Sequence, residues 1–379
     1  MKIYLDNAAT TCLDPRVAEA MMPFLKDQYG NPSSLHAFGR ESKAVIEKSR
    51  RKIAALTGTQ PASIFFTSGG TEADNFALVC TVRSKGIRTV ISSPLEHHAV
   101  LHTLEQLQSA GEIELKLLET DRQGGLNWQQ LWSWMEQDPH CLVSLMQANN
   151  ELGNIYPVEE IAAEVKERGG FFHSDTVQTV GKMKHDFDQW ASDFMIASGH
   201  KFYGPKGIGF IAIAPGMRIP PFIHGGSQER NMRGGTENLM GIAGMAEALE
   251  IAMAELEQNR QHISALKYRM KEMLLAGLPG VAFNGRSAEE DSIYSVLNVS
   301  LPPSPINEML LFNLDIHGIA ASGGSACSSG ANTGSHVLNA IGADPERAAV
   351  RFSFGKFNRM EEIEQAASIL CGMYQGVQA

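Results

Sequence analysis

The sequence predicts an α/β protein built around a mainly parallel β-sheet. Short runs of β-branched and apolar residues alternate with amphipathic stretches along the first part of the chain, which is the pattern of strand–helix units. The chain has 379 residues, of which 43% are hydrophobic and 20% charged, enough to bury a large core and form two domains.

The predicted strands cover residues 64–67, 89–92, 141–146, 171–174, 194–197 and 209–213, and predicted helices between them include 71–83, 99–108 and 158–168. Thr71, Asp175 and Lys201 each fall just after a predicted strand. Because ligands gather at the carboxyl ends of parallel strands, we expect these three residues to share one site.

The rest of the chain predicts a smaller α+β domain. A long apolar helix over 238–258 leads into it, followed by strands at 295–300 and 349–354 and helices at 306–315 and 361–371. We expect the large domain to span 13–256, and the small domain to comprise 257–379 together with 1–12.

The charge balance indicates an ordinary enzyme rather than a nucleic-acid or membrane protein. The formal net charge is -10 and the pI near 5.7, which disfavours polyanionic partners. The N-terminus lacks the apolar core of a signal peptide, and no apolar run reaches the roughly 18 residues of a membrane span. The expected location is cytoplasmic.

Lys201 and Asp175 are the strongest candidate pair. A carbonyl cofactor such as pyridoxal phosphate needs a lysine to hold its aldehyde as a Schiff base and an acid to keep its ring nitrogen protonated. Ser198 and His200 add donors beside the lysine, and nearby glycines such as Gly204 and Gly209 would let the backbone approach a ligand.

The segment 68–72 reads as a strand, a glycine turn and a helix start, which leaves free N–H groups for a phosphate. Taken alone, Thr71 is better explained as a helix N-cap than as a phosphate ligand. His97, His98 and His102 could be read as metal ligands, but no Cys or acidic cluster completes a site, so we expect no metal. An imidazole stacking on a flat cofactor fits at least as well.

Five scattered cysteines form no Cys-x-x-Cys pair and read as reduced thiols. Cys80 and Cys141 lie beside apolar runs and are expected to be buried. Cys327 differs because its segment, 322–330, has almost no apolar anchor, which would leave the thiol available for reaction.

These residues together resemble the cysteine desulfurases of the NifS/IscS group. The similarity runs from Tyr4 to the segment 350–355, so it is far more specific than any single motif. The matching segments are 4–11, 30–34, 67–72, 149–151, 198–201 and 233–236.

The resemblance implies a fold-type I pyridoxal-phosphate enzyme, with a seven-stranded sheet and a smaller C-terminal domain that carries the Cys327 loop. Such an enzyme works as a homodimer and converts L-cysteine to L-alanine. Lys201 would hold the cofactor and move the Cα proton, His97 would stack on the ring and transfer protons, and Cys327 would take the sulfur as a persulfide. Arg351 would bind the substrate carboxylate. The other implied cofactor contacts are Gly70, Thr71, Ser198 and His200 at the phosphate, Thr236 from the second subunit, and Asp175, Gln178 and Asn150 around the ring, with Asn150 also near the substrate.

The segment around Cys327 is similar to the long-loop, IscS-like class. The implied sulfur acceptor is an iron–sulfur scaffold protein, with thiolation of tRNA or of cofactor precursors as the competitor. Selenocysteine lyase and aminotransferase remain as alternatives, although an aminotransferase has no use for Cys327. A catalytically silent scaffold that binds the cofactor and organises partners is the alternative of a different class, yet it needs none of Lys201, His97, Arg351 and Cys327.

Overall fold

The computed structural model describes residues 2–323 and 334–375. Cys327 lies outside the described residues. The strands, in chain order, are β1 (Ile3–Tyr4), β2 (Ile64–Thr67), β3 (Thr89–Ser92), β4 (Glu114–Leu117), β5 (Leu142–Ser144), β6 (Phe171–Ser174), β7 (Phe194–Ser198), β8 (Gly209–Ile213), β9 (Ala282–Phe283), β10 (Val296–Leu301), β11 (Ile319–Ala320) and β12 (Ala348–Ser353).

The helices share amphipathic or buried apolar faces that cover the sheets. They are α1 (Pro15–Lys26), α2 (Ala37–Leu56), α3 (Gly70–Lys85), α4 (His98–Ser109), α5 (Trp128–Gln137), α6 (Val158–Glu167), α7 (Leu239–Ala254), α8 (Leu256–Gly277), α9 (Leu310–Ile316), α10 (His336–Ala340) and α11 (Met360–Gln375). No helix among these residues is long and apolar enough to cross a membrane.

A seven-stranded sheet forms the centre of the fold, in the order β2-β8-β7-β6-β5-β3-β4. β8 is antiparallel to both its neighbours and the other pairings are parallel, which confirms the predicted mainly parallel α/β sheet. Consequently β2, β3, β5, β6 and β7 all end at the same edge. The loops that follow these five strands converge there.

The helix predicted over 238–258 is wrong as a single element. It ends at Ala254, and a second helix, α8, begins at Leu256 and continues to Gly277. Glu255 stands between them with φ -97° and ψ 9°, and its carboxylate accepts hydrogen bonds from Arg16 and Lys356. The apolar pattern continues across this break, so the sequence pattern alone does not locate it.

The buried apolar residues form two large clusters. One lies around the seven-stranded sheet and α7, and the other joins α8, α9 and α11 to the antiparallel sheet β12-β10-β9. The two clusters support the predicted large and small domains, and that division stays a prediction. Val337 of α10 packs in the first cluster although its sequence position falls in the second domain.

The N-terminal segment belongs structurally with the C-terminal part of the chain. β1 pairs in parallel with β11, and Asp6 forms a bridge with Ser353 at the end of β12. The same segment then reaches the central sheet, where the carbonyl oxygens of Ala8 and Ala9 accept hydrogen bonds from Lys201. The N-terminal segment therefore runs from the apolar cluster of the antiparallel sheet to the edge of the seven-stranded sheet where the five strands end.

A strained turn precedes the segment 233–236. Glu229, Arg230 and Asn231 all have positive φ, at 45°, 56° and 66°. Three consecutive non-glycine residues in this region cost free energy that the surroundings must offset. Here the buried Glu229 carboxylate accepts two hydrogen bonds from the Arg50 guanidinium, each at 2.8 Å, and one from the Phe66 backbone N–H.

Candidate active site

One cavity of about 250 Å³ opens at the edge where the five strands end. It collects residues from the loops after β2, β3, β5, β6 and β7, together with the N-terminal segment and β12. Ten of the residues singled out from the sequence line it: Gly70, Thr71, His97, Asn150, Asp175, Gln178, Ser198, His200, Lys201 and Arg351. The expectation that Thr71, Asp175 and Lys201 share one site is confirmed.

The α3 end of the cavity is suited to an anion. α3 begins at Gly70, and its N-cap residue Gly69 makes no side-chain cap, so the first N–H groups lack intrahelical partners. Thr71 lies in this first turn and is not the N-cap. A Cβ on Gly70 would meet Val177 Cγ2 at 2.8 Å, so this position is held open for backbone approach.

Lys201 ends the 3₁₀ turn that follows β7. Its Nζ donates hydrogen bonds to the carbonyl oxygens of Ala8 at 2.7 Å and Ala9 at 2.9 Å. The neighbouring glycines serve a different purpose from the one expected. A Cβ on Gly209 would meet Ala197 O at 2.4 Å and Gly69 Cα at 2.8 Å, so this glycine allows backbone to pack on backbone.

Asp175 stands immediately after β6 at the other side of the cavity. Its Oδ1 accepts a hydrogen bond from the Val177 backbone N–H at 2.9 Å, which fixes the carboxyl group. Burial raises the pKa of Asp175, and this outweighs that hydrogen bond and the charge of Lys201. Gln178 lies one turn further on and donates to the Ala8 carbonyl at 3.2 Å.

His97 is the N-cap of α4, and its Nδ1 accepts a hydrogen bond from the Ala99 backbone N–H at 3.1 Å. Burial and the nearby Lys201 charge lower the pKa of His97 to about 4, so the imidazole is neutral near pH 7. Because Nδ1 is an acceptor, the proton of the neutral ring lies on Nε2. The Nε2–H of His97 can therefore donate a hydrogen bond.

Arg351 lies on β12 with its side chain only 1% exposed. Its Nη2 donates to Asp6 Oδ1 at 2.8 Å, and its Nη1 donates to the Asn150 carbonyl at 3.1 Å. Nε has no hydrogen-bond partner among the described parts of the chain. A buried guanidinium with an unused donor is suited to a carboxylate.

One expected site residue, Thr236, is not in this cavity, and another, Cys327, lies outside the described residues. Thr236 is exposed and lines a separate cavity with Ser68, Glu229 and Arg233. Its expected contact from a second subunit stays a prediction, as does the role of Cys327. Of the other cysteines, Cys80 and Cys141 are buried as expected, and Cys12 is exposed.

Four further residues at the site escaped the sequence analysis. Asp74, Glu151 and His336 line the cavity, and Asp6 binds Arg351. Asp6 and Glu151 lie inside motifs that were recognised, and Asp74 lies one helical turn after Gly70. Motif membership and helical spacing were thus available signals, whereas nothing local points to His336.

The three histidines considered as metal ligands lie near one another at the start of α4. His98 stacks on His102 with ring centroids 4.5 Å apart and lies 4.4 Å from the ring of His336. Between residues 2 and 323 and between 334 and 375, no cluster of three or more His, Cys, Asp or Glu side chains could hold a metal ion. His97 alone of the three faces Lys201.

A mainly parallel sheet with a lysine, an acid and a helix N-terminus at its carboxyl edge defines the fold-type I pyridoxal-phosphate enzymes. The chain belongs to one family within that class, the class-V aminotransferases, whose family model matches residues 3–366.

Individual relatives in this family are similar to the chain over nearly its whole length. The chain is 40% identical over 371 residues to a protein of Bacillus subtilis named putative cysteine desulfurase IscS 1, covering 97% of each chain. A solved NifS-like protein superposes with a TM-score of 0.91 at 37% identity, covering 99% of this chain and all of the other. A structure described as SspA in complex with cysteine superposes with a TM-score of 0.81 at 30% identity, covering 95% of this chain and all of the other.

The residues fit pyridoxal 5'-phosphate, the cofactor of this family. The uncapped N-terminus of α3, with Thr71, Ser198 and His200 nearby, suits the phosphate. Lys201 and Asp175 stand in the same cavity for the aldehyde and the ring nitrogen. Asp175 lies between burial, which favours its neutral form, and Lys201, which favours its charge, so a bound cation at the ring nitrogen would hold it ionised.

Proposed function

We propose that this chain is a cysteine desulfurase, which converts L-cysteine to L-alanine and retains the sulfur as a persulfide. One observation carries the proposal: Lys201, Asp175, His97 and Arg351 line a single cavity in a chain 40% identical to a protein named as a cysteine desulfurase. The solved relative in complex with cysteine supports the same substrate.

The cofactor supplies an electron sink for charge that develops at the substrate Cα. The protein residues position it. The phosphate would be held by Gly70, Thr71, Ser198 and His200, and Thr236 of a second subunit would complete that end. Asp175 would keep the ring nitrogen protonated, Gln178 and Asn150 would contact the ring, and His97 would stack on it.

Two residues move protons. Lys201 would hold the cofactor aldehyde, and its Nζ, in the neutral form, would remove the Cα proton of the substrate. The carbonyl oxygens of Ala8 and Ala9 accept hydrogen bonds from this Nζ and so fix its position. The neutral ring of His97 donates a hydrogen bond from Nε2–H, since its Nδ1 accepts one from the Ala99 N–H. Proton transfer through His97 requires the imidazolium form, which gives up a proton from Nε2 and returns to the neutral ring.

Arg351 binds the substrate carboxylate. Asp6 and the Asn150 carbonyl hold its two Nη groups, so the fork is fixed before substrate enters and the Nε edge remains for the carboxylate. This preorganisation spares the entropy of ordering a long side chain on binding. Asn150, beside the guanidinium, contributes to both the substrate and cofactor surfaces.

Cys327 takes the sulfur. Its thiolate attacks the Sγ of the bound cysteine, the Cβ–Sγ bond breaks, and its electron pair passes to Cβ. A proton then completes the methyl group of alanine. Overall, cysteine and one enzyme thiol give alanine and one persulfide, so no external oxidant is needed.

We further propose that the enzyme is a cytoplasmic homodimer that passes its persulfide sulfur to an iron–sulfur scaffold protein or to another acceptor. The relative named IscS supports an acceptor protein, and the exposed Thr236 segment supports the dimer, because Thr236 does not reach the cavity of its own chain.

The deciding experiment measures alanine and sulfide from L-cysteine with a thiol reductant, using purified protein that carries a confirmed cofactor. Equal yields of the two products are expected. Cofactor binding without either product would overturn the proposal in favour of a silent scaffold.

Two variants assign the roles. Cys327→Ala should keep the bound cofactor and lose alanine formation, and Cys12→Ala, which changes an exposed cysteine elsewhere in the chain, is its control. Lys201→Ala should lose the visible absorption of the covalently held cofactor, while Lys206→Ala, an exposed lysine nearby, should keep it. Normal turnover by Cys327→Ala would exclude that cysteine as the sulfur acceptor.

A further inference from the structure

A row of buried polar side chains lies beneath the cavity and takes no part in the chemistry above. Asp74 Oδ1 lies 3.3 Å from His173 Nε2, and His173 Nδ1 lies 2.9 Å from Ser144 Oγ. Asp74, His173 and Ser144 are each at most 1% exposed. Neither Asp74 Oδ1 nor His173 Nε2 has a hydrogen-bond partner among the described residues, so these two buried atoms face each other unpaired unless a proton lies between them.

Buried polar groups are costly unless they meet each other, so this row needs a reason. Its position suggests one. Asp74 lies in the second turn of α3, whose first turn holds Gly70 and Thr71, and its side chain lines the cavity. His173 lies on β6 two residues before Asp175, so the two side chains leave the strand on the same face.

The Asp74–His173 contact therefore joins the element that would hold the phosphate to the strand that would hold the ring nitrogen. A shift of α3 relative to β6 would move the two ends of the cofactor site relative to each other. Ser144 on β5 extends the same row into the centre of the sheet.

The row carries no net charge. Burial, and then the charges of Asp175 and Glu96, raise the pKa of Asp74 well above its usual range. Burial lowers the pKa of His173 to about 3. At neutral pH Asp74 is then a carboxylic acid that donates to Nε2, and the imidazole donates from Nδ1 to Ser144.

The charged groups that face Asp74 agree with this state. Burial raises the pKa of Glu96 as well, and any negative charge on Asp175 or Glu96 would oppose a charge on Asp74. Lys201 is the cation nearest to Asp175 in the cavity and acts on Asp175. His97 and His173 are neutral at the same pH.

We propose that Asp74, as a neutral hydrogen-bond donor to His173, is a positioning residue that fixes the phosphate-binding end of α3 against Asp175. It leaves Asp175 as the carboxylate that faces the ring nitrogen. The proposal rests on the cofactor assignment made above and not on desulfuration, since it concerns cofactor binding alone.

The test compares Asp74→Asn with Asp74→Ala in the full-length protein, with the cofactor dissociation constant measured by titrating cofactor-free protein. Asn keeps a neutral N–H donor for His173, whereas Ala leaves the buried imidazole nitrogen without a partner. We expect Asp74→Asn to bind within about threefold of wild type and Asp74→Ala to bind about tenfold or more weakly. Equal weakening in both variants would overturn the neutral state, and wild-type binding in both would overturn the positioning role.

A second measurement follows the visible absorption of the bound cofactor as a function of pH. Removing a charge near the ring nitrogen would shift the midpoint of this titration. Because Asp74 is proposed to be neutral, we expect the same midpoint in Asp74→Asn, and a shift of about one pH unit or more would contradict the proposal. The matched control is Thr81→Val, which removes a buried hydroxyl group elsewhere on α3 and should change neither measurement.

If Asp74→Ala does not fold, Ser144→Ala replaces it in the test. Loss of Ser144 Oγ leaves His173 Nδ1 without an acceptor and should weaken cofactor binding by about threefold or more. Unchanged binding would overturn the proposal that these buried residues position the site. Failure of the wild type to bind cofactor would instead contradict the cofactor assignment itself.

Discussion

At the scale of single residues, Arg351 shows how the site is prepared before substrate binds. Its guanidinium is buried, yet only two of its nitrogen atoms have partners among the described residues. A planar, five-donor group fixed in this way matches the geometry of a carboxylate. Arg351 is therefore expected to select a substrate carboxylate by its shape as well as by its charge.

Arg351→Lys tests this preference. A lysine keeps the charge and loses the fork, so we expect KM for L-cysteine to rise about tenfold or more with a smaller change in kcat. The matched control is Arg347→Lys, which changes an arginine that binds Ser300 and Gly280 away from the cavity. An unchanged KM in Arg351→Lys would contradict carboxylate binding.

His185 makes the fold sensitive to acid. It is buried, and its Nε2 lies 3.0 Å from Gln147 Oε1. Burial lowers its pKa to about 4, below the value of about 6.5 for an unfolded chain. Between pH 6.5 and pH 4, His185 binds a proton in the unfolded chain but not in the folded protein. The free energy of unfolding is therefore highest above pH 6.5 and decreases as the pH falls towards 4.

His185→Gln removes this proton uptake. From pH 7 to pH 5, the free energy of unfolding of the wild type should fall by about 2 kcal/mol more than that of the variant. Denaturant unfolding at both pH values measures the difference, with His140→Gln as the exposed control. Parallel pH dependences of wild type and His185→Gln would show that His185 does not carry the effect.

The sequence could identify residues whose chemistry is rare and whose motifs are contiguous. Lys201, Asp175 and Arg351 belong to that group. Asp74 and His173 do not, because a buried acid and a buried histidine on separate elements have no local signature, and their pairing depends on how α3 packs against β6.

At the scale of elements, the strained turn at 229–231 is held by a buried ion pair. The side chains of Arg50 and Glu229 are 3% and 2% exposed. Such a pair contributes little relative to apolar packing, but removing one partner leaves a buried charge that costs several kcal/mol. The turn and the 233–236 segment after it depend on this anchor, and Arg233 in turn binds Glu72 of α3.

We expect Glu229→Gln to lower the free energy of unfolding by about 3 kcal/mol or more, measured by denaturant unfolding. The control is Glu164→Gln, which breaks the half-exposed pair with Arg168 and should cost about 0.5 kcal/mol or less. Equal effects of the two substitutions would show that burial does not set the cost. A separate loss of dimer in Glu229→Gln would agree with the proposed place of the 233–236 segment.

Buried strands were easier to predict than the half-exposed strand β4. The bounds of β2, β3, β6 and β8 match the prediction, because all four are apolar runs buried in the sheet. β4 has the sequence Glu-Leu-Lys-Leu at the sheet edge, is half exposed, and was missed. Partial exposure removes the continuous apolar run by which a parallel strand is recognised.

At the scale of the whole molecule, Lys356 joins three distant parts of the chain. Its Nζ donates to Asp14 Oδ2 at 2.6 Å and to Glu255 Oε2 at 3.1 Å, and the side chain is 6% exposed. Arg16 binds the same two carboxylates, and hydrogen bonds from Arg16 and Lys356 hold the pKa of Asp14 well below its usual range. We call the contacts of Lys356 and Arg16 with Asp14 and Glu255 the clamp. It joins the two apolar clusters.

Lys356→Met should lower the free energy of unfolding by about 2 kcal/mol, since Asp14 loses a buried partner and retains Arg16. Lys52→Met is the matched control, because Lys52 also binds two carboxylates but is 24% exposed, and it should cost about 1 kcal/mol or less. Unfolding curves followed by two probes, one in each cluster, would also show whether the clamp is needed for a single transition. A negligible loss in Lys356→Met would exclude the clamp as a source of stability.

The pairing of β1 with β11 has a consequence for how the protein is made. Ile3 leaves the ribosome early, yet its partner Ile319 is synthesised more than 300 residues later. At roughly 5 to 20 residues per second, β1 waits on the order of 15 to 60 s for its neighbour. During that time Asp6 has no Arg351 to bind, so the central sheet can form during translation while a complete substrate site cannot exist until translation is nearly finished.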